Sequence, residues 1–135
     1  MISNRIKVSK EATDKMKQLK TKLKAGPMYS IARLGLMFSL SEEKPPQKEF
    51  YKEDGMDFNR ITLFGDDDPV YIASIREFGL YTKPTEDSPS SLVEDLKAKD
   101  ATSYLVAHIN RGVSKLHNRI KNQDDLYELI KQQNI

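Results

Sequence analysis

Cysteine is absent from this 135-residue chain. That absence removes a disulfide framework, a thiolate zinc site, an iron–sulfur cluster and a cysteine nucleophile together. Long apolar runs are missing too. None approaches the length of a bilayer span, and no signal-peptide pattern precedes Arg5 and Lys7, so no membrane partner and a cytoplasmic location are expected. The six glycines stand singly, without the clustering of a phosphate-cradling loop. Only two histidines occur, and His108 and His117 lack the i, i+4 spacing of a helical metal pair. No cofactor and no resident metal are expected. What is present suits a polar globular chain: 38% hydrophobic and 31% charged residues, with a mean hydropathy of −0.63. The length fits a single domain over residues 1–135.

The formal net charge of +2 conceals a strong segregation. Residues 1–24 carry eight Lys and Arg against Glu11 and Asp14, whereas residues 41–100 carry eight against fifteen acidic residues. The C-terminal stretch 101–135 is mildly basic again. Such asymmetry points to nucleic acid or another polyanion at the basic end. A solvated lysine helix beside an acidic loop has the same composition.

Hydrophobic spacing organises the chain into elements. Arg5 to Ser9 alternates polar and apolar residues, the period of a half-buried strand, with Arg5, Lys7 and Ser9 outward. Ser9 can cap a helix whose Ala12, Met16, Leu19 and Leu23 form a narrow apolar stripe. Gly26-Pro27 ends that helix and opens another over 28–40, apolar on nearly every face and therefore buried in a core or a subunit interface. Residues 41–57 are acidic, contain a proline pair and read as a loop or a mobile insertion. Residues 58–65 suit a second strand or an extended packing segment. Asp68-Pro69 opens a helix to about Phe78, and a linker over 82–90 follows. Ser91 to Glu94 has the form of a capping box. Leu105, Ile109, Val113, Leu116 and Ile120 then share one helical face, and Asp124 can cap a last short helix. The expected fold is mainly α with a short N-terminal β-ribbon, a ribbon-helix-helix-like start followed by additional helices.

Strand, basic helix, Gly-Pro turn and apolar helix follow one another as in ribbon-helix-helix proteins, whose strands pair across a dimer and enter the major groove. On the first helix Lys10, Lys17 and Lys24 are aligned with Lys20 beside them, while Lys15 and Lys22 line the opposite flank. Lysine rows of this kind meet phosphates as point charges, or serve only solubility. A second row, His108, Arg111, Lys115 and Arg119, lies away from the apolar stripe of its helix. Gly112 in that helix signals close approach by another element. Asn59-Arg60 and Asn110-Arg111 repeat a dipeptide that suits either phosphate contact or structural pairing and capping. Asp66, Asp67 and Asp68 could gather a hard cation, although Asp68 also suits a helix cap.

Three stretches, Asn4 to Lys10, Phe58 to Gly65 and Ala107 to Val113, resemble the signature segments of the DndE family, as does Ile31 to Leu40. This family is the smallest component of the bacterial DNA phosphorothioate modification system. The acidic stretch 42–54 and the linker 82–90 fit the pattern less well. The resemblance implies a subunit without its own sulfur-transfer centre, working beside a cysteine desulfurase, an iron–sulfur protein and an ATPase. The missing cysteine agrees with that division of labour. It further implies a homotetramer that binds double-stranded, preferentially nicked DNA through lysine-rich surfaces, with helix 28–40 serving assembly. The expectation is therefore a non-catalytic, nucleoid-associated DNA-binding subunit of this restriction-modification machinery. Its contacts would be Arg5, Lys7, Lys10, Lys17, Lys20, Lys24, Arg111, Lys115 and Arg119. Two other readings compete: a metal-dependent nicking enzyme using the aspartate run, and a ribbon-helix-helix repressor.

Overall fold

Ser9 starts the first helix as its position predicts. In the computed structural model, which describes residues 3–24, 26–42, 44–81 and 101–133, the chain opens with strand β1 (Arg5–Lys7) and helix α1 (Lys10–Leu23). The Ser9 hydroxyl accepts the Ala12 N–H at 3.0 Å, satisfying one of the amides that a helix start leaves without a partner. Ala12, Met16, Leu19 and Leu23 are all buried. The turn that ends α1 departs from expectation: the left-handed residue is Lys24, at φ +49°, rather than a glycine. Its N–H closes onto Lys20 and Thr21 carbonyls. Pro27 precedes the first turn of α2 (Met28–Leu40) as its extended N-cap residue.

The ribbon is closed within the chain. β1 pairs antiparallel with β2 (Asp57–Asn59), Arg5 opposite Asn59, Ile6 opposite Phe58 and Lys7 opposite Asp57. Ile6 and Val8 are buried and Arg5 and Lys7 exposed, as the alternation requires. Ser9 does not continue that outward row; it is buried, with its N–H given to the Asn110 side chain at 2.9 Å. The pairing across a dimer that a ribbon-helix-helix start suggests is replaced here by an internal partner.

After β2 the strand does not run on to residue 65. The Asn59 side chain accepts the Ile61 N–H at 2.9 Å and starts the short helix α3 (Arg60–Phe64), an N-cap preference that overrides the β-rich composition. A 3₁₀ turn (Gly65–Asp67) leads to α4 (Asp68–Tyr81), longer than the sequence pattern indicates. The linker 82–90 and the Ser91–Glu94 capping box lie outside the described residues.

Helix α5 (Ala101–Arg119) is the centre of the molecule. It packs chiefly along α2 and also against α1, β1, α4 and the 3₁₀ turn Lys48–Phe50. The last helix, α6 (Gln123–Gln133), is capped by Asn122 and not by Asp124. The Asn122 side chain accepts the Asp125 N–H at 3.0 Å, and the Asp125 carboxylate accepts the Asn122 N–H in return, a reciprocal capping box.

The acidic stretch 41–57 is a loop, and it is tied down rather than loose. Val8 exchanges backbone hydrogen bonds with Gly55 and Met56 at 2.7 and 3.0 Å. The Asp54 carboxylate accepts the Lys10 N–H at 2.8 Å, and Pro45 and Pro46 are buried. Gly55 sits so close to α1 that a Cβ there would lie 2.4 Å from the Ser9 carbonyl oxygen. Among the described residues no helix is long and apolar enough to cross a membrane.

Candidate nucleic-acid interface

Lys10, Lys17, Lys20 and Lys24 are exposed on α1, within an arc of about 80° on the side turned from the Met16 and Leu19 stripe. Among the described residues no carboxylate pairs with Lys17, Lys20 or Lys24, so this row keeps its full charge. Its N-terminal end is tempered. Asp54 lies over the first turn, its carboxyl held below the usual aspartate range by the Lys10 N–H. Arg5 is also moderated, 3.5 Å from the Asp57 carboxylate, with both side chains open to solvent. Lys7 is exposed beside it on β1.

The second basic row does not form a surface. Arg111 and His108 are fully buried, at 0% exposure. Arg111 Nε donates to Ser39 Oγ at 2.8 Å, Nη1 to the Lys44 carbonyl at 2.7 Å and Nη2 to the Ser39 carbonyl at 2.9 Å. The Glu42 carboxylate stands 3.4 Å from Nη1. A guanidinium so enclosed has no face to offer a phosphate, and Arg111 is withdrawn from the set of expected DNA contacts. Lys115 pairs with the same Glu42, leaving it half-buried rather than free. Arg119 lies over the Phe38 ring, 5.3 Å from its centroid, but remains exposed.

Ser39 Oγ joins the two buried groups, accepting from Arg111 Nε and sharing a hydrogen bond with His108 Nδ1, 2.8 Å away. Burial, then the neighbouring Arg111 charge, holds His108 well below the ordinary histidine pKa, and the ring is neutral. Tyr104 meets it edge-on with centroids 4.7 Å apart, and burial raises the Tyr104 phenol.

Both Asn-Arg dipeptides prove structural. Arg60 Nε lies 2.9 Å from Asp68 Oδ1, and Asn59 caps α3. Asn110, only 3% exposed, clasps three segments. Its Oδ1 accepts the Ser9 N–H, and its Nδ2 donates to the Phe50 and Lys52 carbonyls at 2.7 and 3.0 Å. The acidic loop, the start of α1 and α5 thus meet at one amide. Its role was hidden in the sequence because the three partners are backbone groups. The signal that exposes Arg111 was available: Gly112 borders the arc of α5 that holds His108, Arg111 and Lys115, about 40° from His108, so the face read as solvent adjoins the one a neighbouring helix approaches.

In the aspartate run, Asp66 and Asp67 are exposed and Asp68 is engaged by Arg60. No group of three or more His, Cys, Asp or Glu side chains is gathered for a metal among the described residues. The packing of α5 also adds His117 to the Lys15 and Lys22 flank of α1, which periodicity alone did not show. Where α1 crosses α5, His117 Nε2 meets Gln18 Oε1 at 2.6 Å and Lys15 Nζ donates to Ser114 Oγ at 3.0 Å.

The family model described as DNA sulphur modification protein DndE matches residues 5–124. The chain belongs to the DndE family. Its role accordingly lies in DNA phosphorothioation. Solved members of the family share the fold. The crystal structure of DndE from Escherichia coli B7A, involved in DNA phosphorothioation modification, aligns with a TM-score of 0.59 at 21% identity, covering 86% of this chain and 99% of that one. A G21/24K mutant of DndE, also involved in DNA phosphorothioation, aligns with a TM-score of 0.62 at 22% identity over the same shares. A search of curated proteins finds no match.

Proposed function

We propose that this chain is a non-catalytic DNA-holding subunit of the phosphorothioation machinery, binding double-stranded and preferentially nicked DNA through α1. The observation that carries this reading is the row Lys17, Lys20 and Lys24, exposed and without a carboxylate partner among the described residues. Arg5, Lys7 and Lys10 extend the row toward β1, and Lys115 and Arg119 contribute at most a margin, since Glu42 and Phe38 already hold them. The amines meet phosphates without reading bases, so binding tolerates any sequence. The protein acts as a homo-oligomer in the cytoplasm, a tetramer by family resemblance, with the other subunits of the system as partners and no cofactor of its own.

The test is charge reversal. Lys17→Glu, Lys20→Glu and Lys24→Glu combined should weaken binding of a nicked duplex by at least about tenfold, and flatten its salt dependence by about 0.9 per lost phosphate contact. Melting temperature and solution mass should not change, because none of the three side chains packs in the core. Wild-type binding by the triple variant removes the Lys17, Lys20 and Lys24 row from the interface. Running nicked and intact duplexes of equal length in parallel measures the preference for a nick.

A further inference from the structure

The flank of α1 opposite the lysine row is not electrically neutral. Lys15 and Lys22 stand there, and α5 brings His117 against Gln18 from the other side. Lys121 follows at the end of α5 and is exposed, as is Lys22. Of the carboxylates nearby, Glu11 is held by Lys15 at 2.9 Å. Asp125 is turned to the backbone N–H groups of Lys121 and Asn122. Among the described residues no carboxylate pairs with Lys22 or Lys121. The seam is therefore cationic, with the His117 imidazole within electrostatic reach of Lys22, Lys15 and Lys121.

We propose that this α1–α5 seam, with Lys22 and Lys121 flanking the His117–Gln18 pair, is a second phosphate-binding line for duplex DNA, linked to proton uptake at His117. The proposal rests on the reading of α1 as a DNA-binding helix and extends it to the helix's other flank. Because α5 packs on this flank through Lys15–Ser114 and His117–Gln18, Lys22 on α1 and Lys121 beyond the end of α5, both exposed, present the amines of the seam to one phosphate backbone while the lysine row meets another.

The proton linkage follows from the local chemistry. As placed, His117 Nε2–H donates to Gln18 Oε1, which leaves Nδ1 as the basic nitrogen of the neutral ring. Partial burial, then Lys22, Lys15 and Lys121, hold its pKa below the ordinary histidine value. A phosphate at the seam offsets those lysine charges and accepts a hydrogen bond from the protonated ring, so the bound state has the higher pKa. By linkage, affinity must rise as the pH falls through that value. His108 adds nothing to this dependence, being enclosed and neutral beside Arg111.

The experiment compares duplex binding by wild type, His117→Gln and Lys22→Glu/Lys121→Glu at pH 8 and pH 6, with the His117 ring proton followed by NMR with and without DNA. Wild type should bind about two- to tenfold more tightly at pH 6, the range open to one linked histidine. His117→Gln should lose that gain. The double lysine variant should weaken binding at both pH values, and the His117 pKa should rise on adding DNA. A pH response unchanged in His117→Gln, a His117 pKa indifferent to DNA, or wild-type binding by Lys22→Glu/Lys121→Glu overturns the seam. The α1 row is judged separately. Loss of binding in the Lys17/Lys20/Lys24 charge reversal with none in the Lys22/Lys121 variant leaves the row and removes the seam. The converse removes the row and leaves the seam, and loss in neither removes both.

Discussion

Gly112 and Gly35 bring the backbones of α5 and α2 into direct contact: a Cβ on Gly112 would lie 1.6 Å from the Gly35 carbonyl oxygen. Neither position has room for a methyl group, since a Cβ on Gly35 would meet Val113 Cγ2 at 2.8 Å and Val113 N at 2.9 Å. In an exposed helix, Gly→Ala stabilises by about 1 kcal/mol. Here the sign reverses. Gly112→Ala should lower stability by about 1–3 kcal/mol through overpacking, seen as a reduced midpoint in denaturant. A variant as stable as wild type would mean that α2 and α5 can separate without cost.

Asn110 predicts a different kind of loss. Replacing it by Ala leaves the Ser9 N–H and the Phe50 and Lys52 carbonyls without their amide partner, a cost of about 2–4 kcal/mol at such a buried site. Asn110→Asp should be worse than Ala, because a carboxylate would face two carbonyl oxygens. Limited trypsin digestion should show cleavage at Lys48 and Lys52 accelerating in both variants before the rest of the chain is attacked. Equal protection in wild type and variants would show that the loop is held by Gly55 and Asp54 alone.

Arg111 should behave as a residue of the fold and not of the interface. Arg111→Ala removes the partner of Ser39, Lys44 and Glu42, and breaking a buried pair of this kind costs about 3–5 kcal/mol. Arg111→Lys keeps the charge but loses the fork and should also lower the melting temperature. Duplex affinity per folded molecule should stay at the wild-type level. Lost affinity with an unchanged melting temperature would return Arg111 to the surface.

His108 sets a pH limit on stability. Its pKa is lowered in the folded state, so below the ordinary histidine value of about 6.5 the unfolded chain binds a proton that the folded one refuses. Stability is therefore fully present above that pH and declines as acid is added, by at most about tenfold in the folding equilibrium per pH unit. Urea titrations from pH 7.5 to 5 should show the decline, and His108→Gln should reduce it. A profile unchanged in that variant would assign the decline to other groups.

The contrast between α1 and α5 shows how far the sequence could be read. α1 is packed on one side, so a single stripe and a single cap at Ser9 describe it, and its four apolar positions are all buried. The limits of α2 followed from Pro27 and a nearly continuous apolar run. α5 is approached from several sides at once, and a polar residue on it can be interior if α2 supplies the partners. Ser39 and the Lys44 carbonyl do so for Arg111. Helical periodicity assigns residues to faces but cannot say how many faces are covered. The internal pairing of β1 with β2 was equally out of reach, because three-residue strands leave too short a pattern to choose a partner. The α1–α5 seam was missed for a related reason: Lys15 and Lys22 were visible as a flank, but only the packing of α5 brings His117 to it.

The polar ties of α1 are gathered at its first turn, where Ser9, Asp54, Gly55 and Asn110 converge. Lys17, Lys20 and Lys24 lie beyond all of them, on turns held by the apolar face beneath and by the Lys15–Ser114 and Gln18–His117 contacts with α5. Exchanges at those three positions leave the buried core untouched, and lysines near a helix C-terminus also suit its dipole. Grip on a polyanion is thus adjustable in small steps, one amine at a time, without renegotiating the architecture that presents it.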